Sequence, residues 1–269
     1  MNLEKRFQVP PHAKLKLAKH DPDDTANVAG KERCEAALAK NIARLFELQT
    51  LLAASNQYAV LIVLQAMDAG GKDGTIRHVM TGLNPQACRV TSFKVPSEEE
   101  VRHDFLWRIH NAMPKRGEIG IFNRSHYEDV LVARVHKLVP KSVWQARYDQ
   151  INAFEQNLVE NNTVILKFFL HISKDEQKRR VEQRIHDPLK NWKISEADFA
   201  ERRFWDDYVE AYEDAISKCS TKHAPWYVIP ANRKWFRNLA VSQILEDRMD
   251  ALKMKYPPPK IDLSKIRIE

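Results

Sequence analysis

The sequence predicts an α/β protein of three layers, α/β/α, built on a parallel five-stranded sheet, and three observations carry that expectation. Five short runs rich in β-branched or aromatic residues recur along the chain, longer amphipathic runs alternate with them, and two of the short runs are apolar almost throughout. Strands that alternate with helices pair in parallel through crossovers that lay helices on both faces. A strand covered on both faces has no polar side, which is the character of YAVLIVLQ and TVILKFFLHI.

Taken in order, Lys31 to Ser55 carries apolar residues at helical spacing, so 1–56 reads as an N-terminal extension ending in a helix. The strands are Tyr58 to Gln65, Cys88 to Val95, Glu118 to Asn123, Thr163 to Ile172 and Trp226 to Pro230. Between them the helical runs are Lys72 to Leu83, Glu98 to Ala112, Ser142 to Glu160 and Lys174 to His186. A last helix is expected from about Lys234 to Lys255, where the three prolines of YPPPKIDLSKIRIE stop it. The expected organisation is one domain over 1–269, with a core at 57–256, a lid at about 174–195 and a tail at 257–269. The sequence shows no internal repeat.

Length and composition agree with a single core: 269 residues, 43% hydrophobic, with six tryptophans. The polar, basic first residues and the lack of any 18-residue apolar run give no signal peptide or membrane span. Three distant cysteines, Cys34, Cys88 and Cys219, have neither disulfide nor zinc spacing. The expectation is a cytoplasmic protein with no membrane partner. A net charge of +7 despite 36 acidic residues concentrates Lys and Arg somewhere and suits a polyanion. Neither an aromatic RNP-type strand nor zinc spacing is present, so nucleic acid is not the expected one.

After the first buried run comes Gln65-Ala66-Met67-Asp68-Ala69-Gly70-Gly71-Lys72-Asp73-Gly74-Thr75, then a helix. Strand, glycine turn, lysine and helix aim successive backbone N–H groups and the positive end of a helix dipole at one point. The ligand for such a turn is a phosphate chain, with Lys72 beside it and Ala69, Gly70, Gly71, Asp73, Gly74 and Thr75 around it. Against the P-loop pattern G-x-x-x-x-G-K-[ST], Gly71 and Lys72 match; Ala66 replaces the first glycine and Asp73 the hydroxyl residue that reaches magnesium. Asp68 inside the turn would repel phosphate without an intervening cation, which points to Mg²⁺. A GGK turn can also be no more than a tight connection.

The third strand ends in Asn123-Arg124-Ser125-His126-Tyr127-Glu128-Asp129, on the same sheet edge as the turn. Arg124 suits a bidentate hold on phosphate, and Glu128 and Asp129 offer hard oxygens to Mg²⁺. The alternative is an ordinary acidic first turn of a helix. Farther on, Arg180 and Arg184 are four apart, which puts both on one helix face, able to clamp an anion. Well-placed mobile arginines give phosphoryl transfer ~10³ to 10⁵-fold; a solvated basic face that includes Glu182 is the plainer reading. Asp187-Pro188 breaks that helix, and Ser195 with Asp198 resembles a capping box for the next. There Phe204, Trp205, Tyr208 and Tyr212 read as core.

With these blocks in place the chain resembles the polyphosphate kinase 2 family, most closely its class III. LQAMDAGGKDGT is similar to the family's Walker A turn, FNRSHYEDVLVARVH to its Walker B region and EQKRRVEQRIHDPLKNWKIS to its lid. WDDYVEAYEDAI and APWYVIPANRKWFRNLAVS resemble its C-terminal blocks, and KLKLAKHDPDDT its N-terminal region. The resemblance implies a thymidylate-kinase-like P-loop fold and dependence on Mg²⁺, with Mn²⁺ as a substitute. It implies reversible transfer from inorganic polyphosphate to nucleoside mono- and diphosphates, AMP and ADP to the triphosphate ATP, with GMP and GDP as further acceptors. A homo-oligomer, dimer or tetramer, is also implied.

Carried over residue by residue, Asp68 and Lys72 are the Walker A acid and phosphate lysine, Arg124 the Walker B arginine, and Arg180 and Arg184 the lid cations. Asp68 and Asp129 are the implied metal ligands, and Glu128 is tied to monophosphate use. Asn123 stands where many relatives carry aspartate. Arg134 joins the phosphate and nucleotide contacts, and Arg77, Lys94, His136 and Lys137 extend a cationic track along the polymer. Because the acceptor is itself a phosphate oxygen, no covalent nucleophile is required, and metal binding is the expected work of Asp68 and Asp129. Two other readings are an ATP-dependent nucleotide kinase, against which the missing Ser/Thr after Lys72 argues, and a non-catalytic binder of RNA or another polyanion.

Overall fold

The structure, a computed structural model, describes residues 2–194 and 196–267. The capping box expected from Ser195 lies outside them. Five parallel strands, β1 (Ala59–Gln65), β2 (Cys88–Ser92), β3 (Ile119–Asn123), β4 (Thr163–His171) and β5 (Trp226–Pro230), lie in the order β2-β3-β1-β4-β5. All seven residues of β1 are buried, as its central place requires. Leu64 pairs with Asn123, so the chain leaves β1 and β3 side by side at one edge. At the far side β5 is buried although it ends the sheet, because Gln8 bridges Tyr227 antiparallel and the Val9 N–H donates to the Trp226 carbonyl at 2.8 Å. The N-terminal segment thereby closes an edge that would otherwise offer unpaired backbone.

Eleven helices are described: α1 (Leu3–Phe7), α2 (Lys31–Ser55), α3 (Lys72–Val79), α4 (Glu98–Val101), α5 (Trp107–Asn111), α6 (Glu128–Val135), α7 (Lys141–Glu160), α8 (Lys174–Ile185), α9 (Glu196–Glu201), α10 (Trp205–Cys219) and α11 (Lys234–Asp250). One layer gathers α1, α2 and α3 around α11, and the other gathers α6, α7 and α10. Along α2 the buried Cys34, Asn41, Leu45, Leu48 and Leu52 form the stripe that faces inward, and Asn56, with φ 50°, closes the helix in the left-handed conformation. The helix expected over Glu98 to Ala112 is two short ones. Asp104 divides them: its carboxylate accepts the Leu106 N–H at 2.9 Å and its carbonyl the Trp107 N–H at 3.0 Å, which starts a new turn. α3 and α11 stop a few residues early, before the positive-φ turns at Gly82 and Lys253.

Beneath the site side of the sheet, β4 carries Lys167 into the core with no exposure. Its ammonium donates to the Tyr127 hydroxyl at 2.9 Å, to the Cys219 carbonyl at 2.7 Å and to the Glu155 carboxylate. Glu155 Oε1 also accepts the Tyr127 hydroxyl at 2.9 Å and lies 3.1 Å from His126 Nε2. This network joins β4, α7, the end of α10 and the segment that leads into α6.

Candidate active site

From β1 the chain turns through Met67 and Gly70, whose N–H donates to the Met67 carbonyl at 2.9 Å, and enters α3 at Gly71. The first N–H groups of a helix have no partner inside it, so this turn presents a row of donors. Lys72 is half-buried and folds back, its Nζ donating to the Ala66 carbonyl at 3.1 Å. Burial, and then Arg124, lower its pKa below the usual lysine value. Thr75, expected among the phosphate contacts, is turned inward instead: its N–H and hydroxyl both donate to the Gly71 carbonyl, at 2.9 and 3.1 Å. Gly71 has φ +102°, and a Cβ there would lie 2.0 Å from Arg237 Nη1. Gly71→Ala is therefore expected to lose about 1–3 kcal/mol of stability by urea unfolding and most of the phosphate affinity.

Asp73 and Asn123 meet across the end of β3, the Asn123 amide donating to Asp73 Oδ1 at 2.7 Å. In ordinary P-loops the first position is a hydroxyl and the strand supplies the acid. Here the acid has moved to the helix and the neutral group to the strand.

Arg124 follows at φ 64°, a left-handed position that costs a non-glycine residue ~1–2 kcal/mol, held by its N–H on the Leu64 carbonyl at 3.1 Å. Its guanidinium bridges two acids, Asp68 Oδ1 at 3.1 Å and Glu128 Oε2 at 3.5 Å. Burial raises the pKa of Glu128, against the opposing pull of Arg124 and Lys72. Asp129 departs from the expected pairing with Asp68. Its Oδ1 lies 3.4 Å from Arg147 and its Oδ2 3.9 Å from Arg108, while Oδ2 is buried without a hydrogen-bond donor. The reason is helical: consecutive residues of α6 point about 100° apart, so only one of them can face Arg124.

The lid cations part company as well. Arg180, 5% exposed, is fixed rather than mobile: Nη1 donates to the carbonyls of Ala69 and Gly70, each at 3.0 Å, Nη2 to that of Asn232 at 3.1 Å, and Nε to Glu176 at 2.6 Å. It splints the glycine turn from behind. Arg184, one turn farther out, is half-exposed, and its guanidinium makes no hydrogen bond or ion pair among the described residues. Arg134 is turned to α10, paired with Glu210 at 2.5 Å and Asp214 at 2.7 Å, so it is not a phosphate contact here. Arg77, Lys94 and Lys137 are exposed on separate elements, and His136 is paired with Glu201 at 3.0 Å. They form no continuous track.

Beside Asp68, Arg124 and Glu128 opens a cleft of about 340 Å³. Its walls include Val95, Leu131, Val132, Trp205, Tyr208 and Tyr212. Trp205 and Tyr212 are buried, as expected of core, and also line the cleft, whereas Phe204 and Tyr208 are only half-buried and the Tyr208 hydroxyl donates to Glu201 at 2.8 Å. Sequence reasoning missed Gln177, whose amide donates to the Asp68 carbonyl at 3.1 Å, and Arg237. A signal for Arg237 was present: it shares the apolar face of α11 with Val241, Ile244 and Leu245, where a charge needs a reason.

A donor-lined glycine turn, one lysine and an arginine held between acids at a parallel-sheet edge define a P-loop phosphotransferase. The comparisons sharpen that class: a family model described as Polyphosphate kinase 2 matches residues 28–257. The chain is 54% identical over 266 residues to an AMP/ADP-polyphosphate phosphotransferase of Meiothermus ruber, covering 98% of this chain and 100% of that protein. With an ADP-polyphosphate phosphotransferase of Rhodopseudomonas palustris it shares 49% identity over 265 residues, covering 94% and 92%. The crystal structure of polyphosphate kinase 2 from Arthrobacter aurescens TC1 superposes with a TM-score of 0.94 at 43% identity, covering 98% of this chain and 94% of that one. The chain belongs to the polyphosphate kinase 2 family.

Proposed function

We propose that this chain phosphorylates both nucleoside monophosphates and diphosphates, AMP and ADP among them, from inorganic polyphosphate, in a reversible reaction that requires Mg²⁺. The observation that carries this reading is the cleft, apolar along Val95, Leu131 and Val132 and charged at Asp68, Arg124 and Glu128. An apolar wall suits a base and a charged end suits its phosphates. In this reading Arg124 orients the acceptor phosphate, and Lys72 with the open N–H groups of α3 holds the phosphoryl group in transfer. An acceptor oxygen attacks the terminal phosphorus, the terminal P–O–P bond breaks, and the shortened polymer leaves with the electron pair. The acceptor phosphate is already ionised near neutral pH, so no side chain has to remove a proton, and positioning with charge neutralisation supplies the rate.

Mg²⁺ takes one or two carboxylates with waters and phosphate oxygens, and Asp68, its side chain one-third exposed at the cleft, fits that donor set. Among the described residues no three acidic, His or Cys side chains gather to hold a metal. When bound, the ion neutralises charge on the phosphates. Mn²⁺, which also prefers oxygen, is expected to substitute, and the family likeness points to a homo-oligomer.

The test is formation of ATP from ADP, and of ADP and ATP from AMP, with Mg²⁺ and long-chain polyphosphate. Transfer from ATP to a monophosphate, with none from polyphosphate, would sink the reading. Asp68→Asn is expected to raise the Mg²⁺ concentration for half-maximal rate by about tenfold or more. Unchanged Mg²⁺ dependence with lost turnover would assign Asp68 to proton transfer instead.

A further inference from the structure

Behind the glycine turn the chain gathers cations without acids to match them. Arg237 on α11 is 2% exposed, and its fork reaches under the turn: Nη1 lies 2.0 Å from where a Gly71 Cβ would be, and Nη2 3.3 Å from that of Gly74. Its partner is a neutral amide, Asn238 Oδ1, which accepts Nε at 3.1 Å and Nη2 at 2.8 Å. Nη1 donates to no group among the described residues. Burial and the nearby Arg180 push Arg237 down to about 9. Lys234, one turn earlier, is exposed and is also lowered, by burial and then by Arg180, Arg237 and Arg179. The nearby carboxylate, Glu176, is already engaged by Arg179 and Arg180 at 2.6 Å each. Lys234 and Arg237 therefore have no carboxylate within ion-pair distance among the described residues.

Burying a guanidinium without a counter-charge is unfavourable, and a fold that keeps one beside a row of helix N–H groups is suited to an anion that arrives with the substrate. We propose that Lys234 and Arg237 bind the donor polyphosphate beyond its terminal unit, so that the polymer runs from Lys72 past Gly71 and Gly74 onto the start of α11. This rests on the polyphosphate reading above. It replaces the track expected at Arg77, Lys94, His136 and Lys137, and it lies outside the acceptor cleft, whose lining contains neither residue. Donor and acceptor then approach the transferring group from different sides of the turn.

The experiment compares wild type with Lys234→Gln, Arg237→Lys and Arg237→Gln, measuring KM for long-chain polyphosphate, for tripolyphosphate and for ADP, with binding of long-chain polyphosphate in the absence of nucleotide. Expected is a rise of about tenfold in the KM and dissociation constant for long chains in Lys234→Gln and Arg237→Gln, a smaller rise in Arg237→Lys, and ADP KM unchanged. The preference for long over short donors should shrink. Arg237→Gln removes an uncompensated buried charge, so its melting temperature should not fall, and Lys234→Gln alters an exposed side chain. Donor constants that stay at wild-type values, or an ADP KM that rises in step with them, would overturn the inference. A wild type that transfers nothing from polyphosphate would instead sink the underlying functional reading, and the inference with it.

Discussion

Lys72→Met is expected to lower kcat for transfer from polyphosphate by about 10³-fold, the scale of one lost electrostatic contact to a transferring group. The two other arginines at the turn that the site already uses are committed elsewhere. Arg124 is shared between Asp68 and Glu128, and Arg180 is spent on the carbonyls behind the turn. Methionine keeps the stem and removes a half-buried charge, so the melting temperature should hold while turnover falls. The lowered pKa of Lys72 adds a pH signature. Below that pKa the ammonium is charged and active, and above it the charge is gone, so kcat/KM should decline at a lower pH than an ordinary lysine would dictate. Lys72→Arg, which does not titrate in that range, should flatten the alkaline limb. A methionine variant that keeps more than a tenth of its turnover would show that the backbone donors suffice.

The fold was legible because its signals are local. An apolar run as short and as rich in β-branched residues as AVLIVLQ reads as a covered strand, and a glycine turn between strand and helix reports itself. The site was legible only in part, because its remaining choices are matters of direction. Glu128 and Asp129 are adjacent in sequence, and nothing in their chemistry says which one α6 turns toward Arg124. Arg180 and Arg184 do share a helix face, but one turn separates them along the axis. That turn decides between capture by the carbonyls of Ala69, Gly70 and Asn232 and freedom to move. Arg237 lies 165 positions after Lys72 in the numbering, and only the packing of α11 against α3 brings it under the turn.

The same distinction between a visible residue and its invisible partners governs the largest expected effect on stability. Lys167 stands plainly inside an apolar strand, yet Glu155 and Tyr127 reach it from other elements, and His126 reaches Glu155. Glu155→Gln should cost about 3–5 kcal/mol in urea unfolding, because it leaves a buried ammonium without its counter-charge. Adding Lys167→Met removes that orphan and should recover most of the loss, so the two changes will be strongly non-additive. The pH dependence has a definite sign. Burial alone would raise Glu155, but Lys167 and His126 outweigh it and hold the carboxyl below its usual range. Its contribution is therefore fully present above the unfolded value of ~4.3 and is lost as pH falls through the lower folded value. Wild type should lose stability on that acid limb and Glu155→Gln should not show it. A single-variant cost under about 1 kcal/mol would mean that water reaches Lys167 and that the network does not hold β4 to α7.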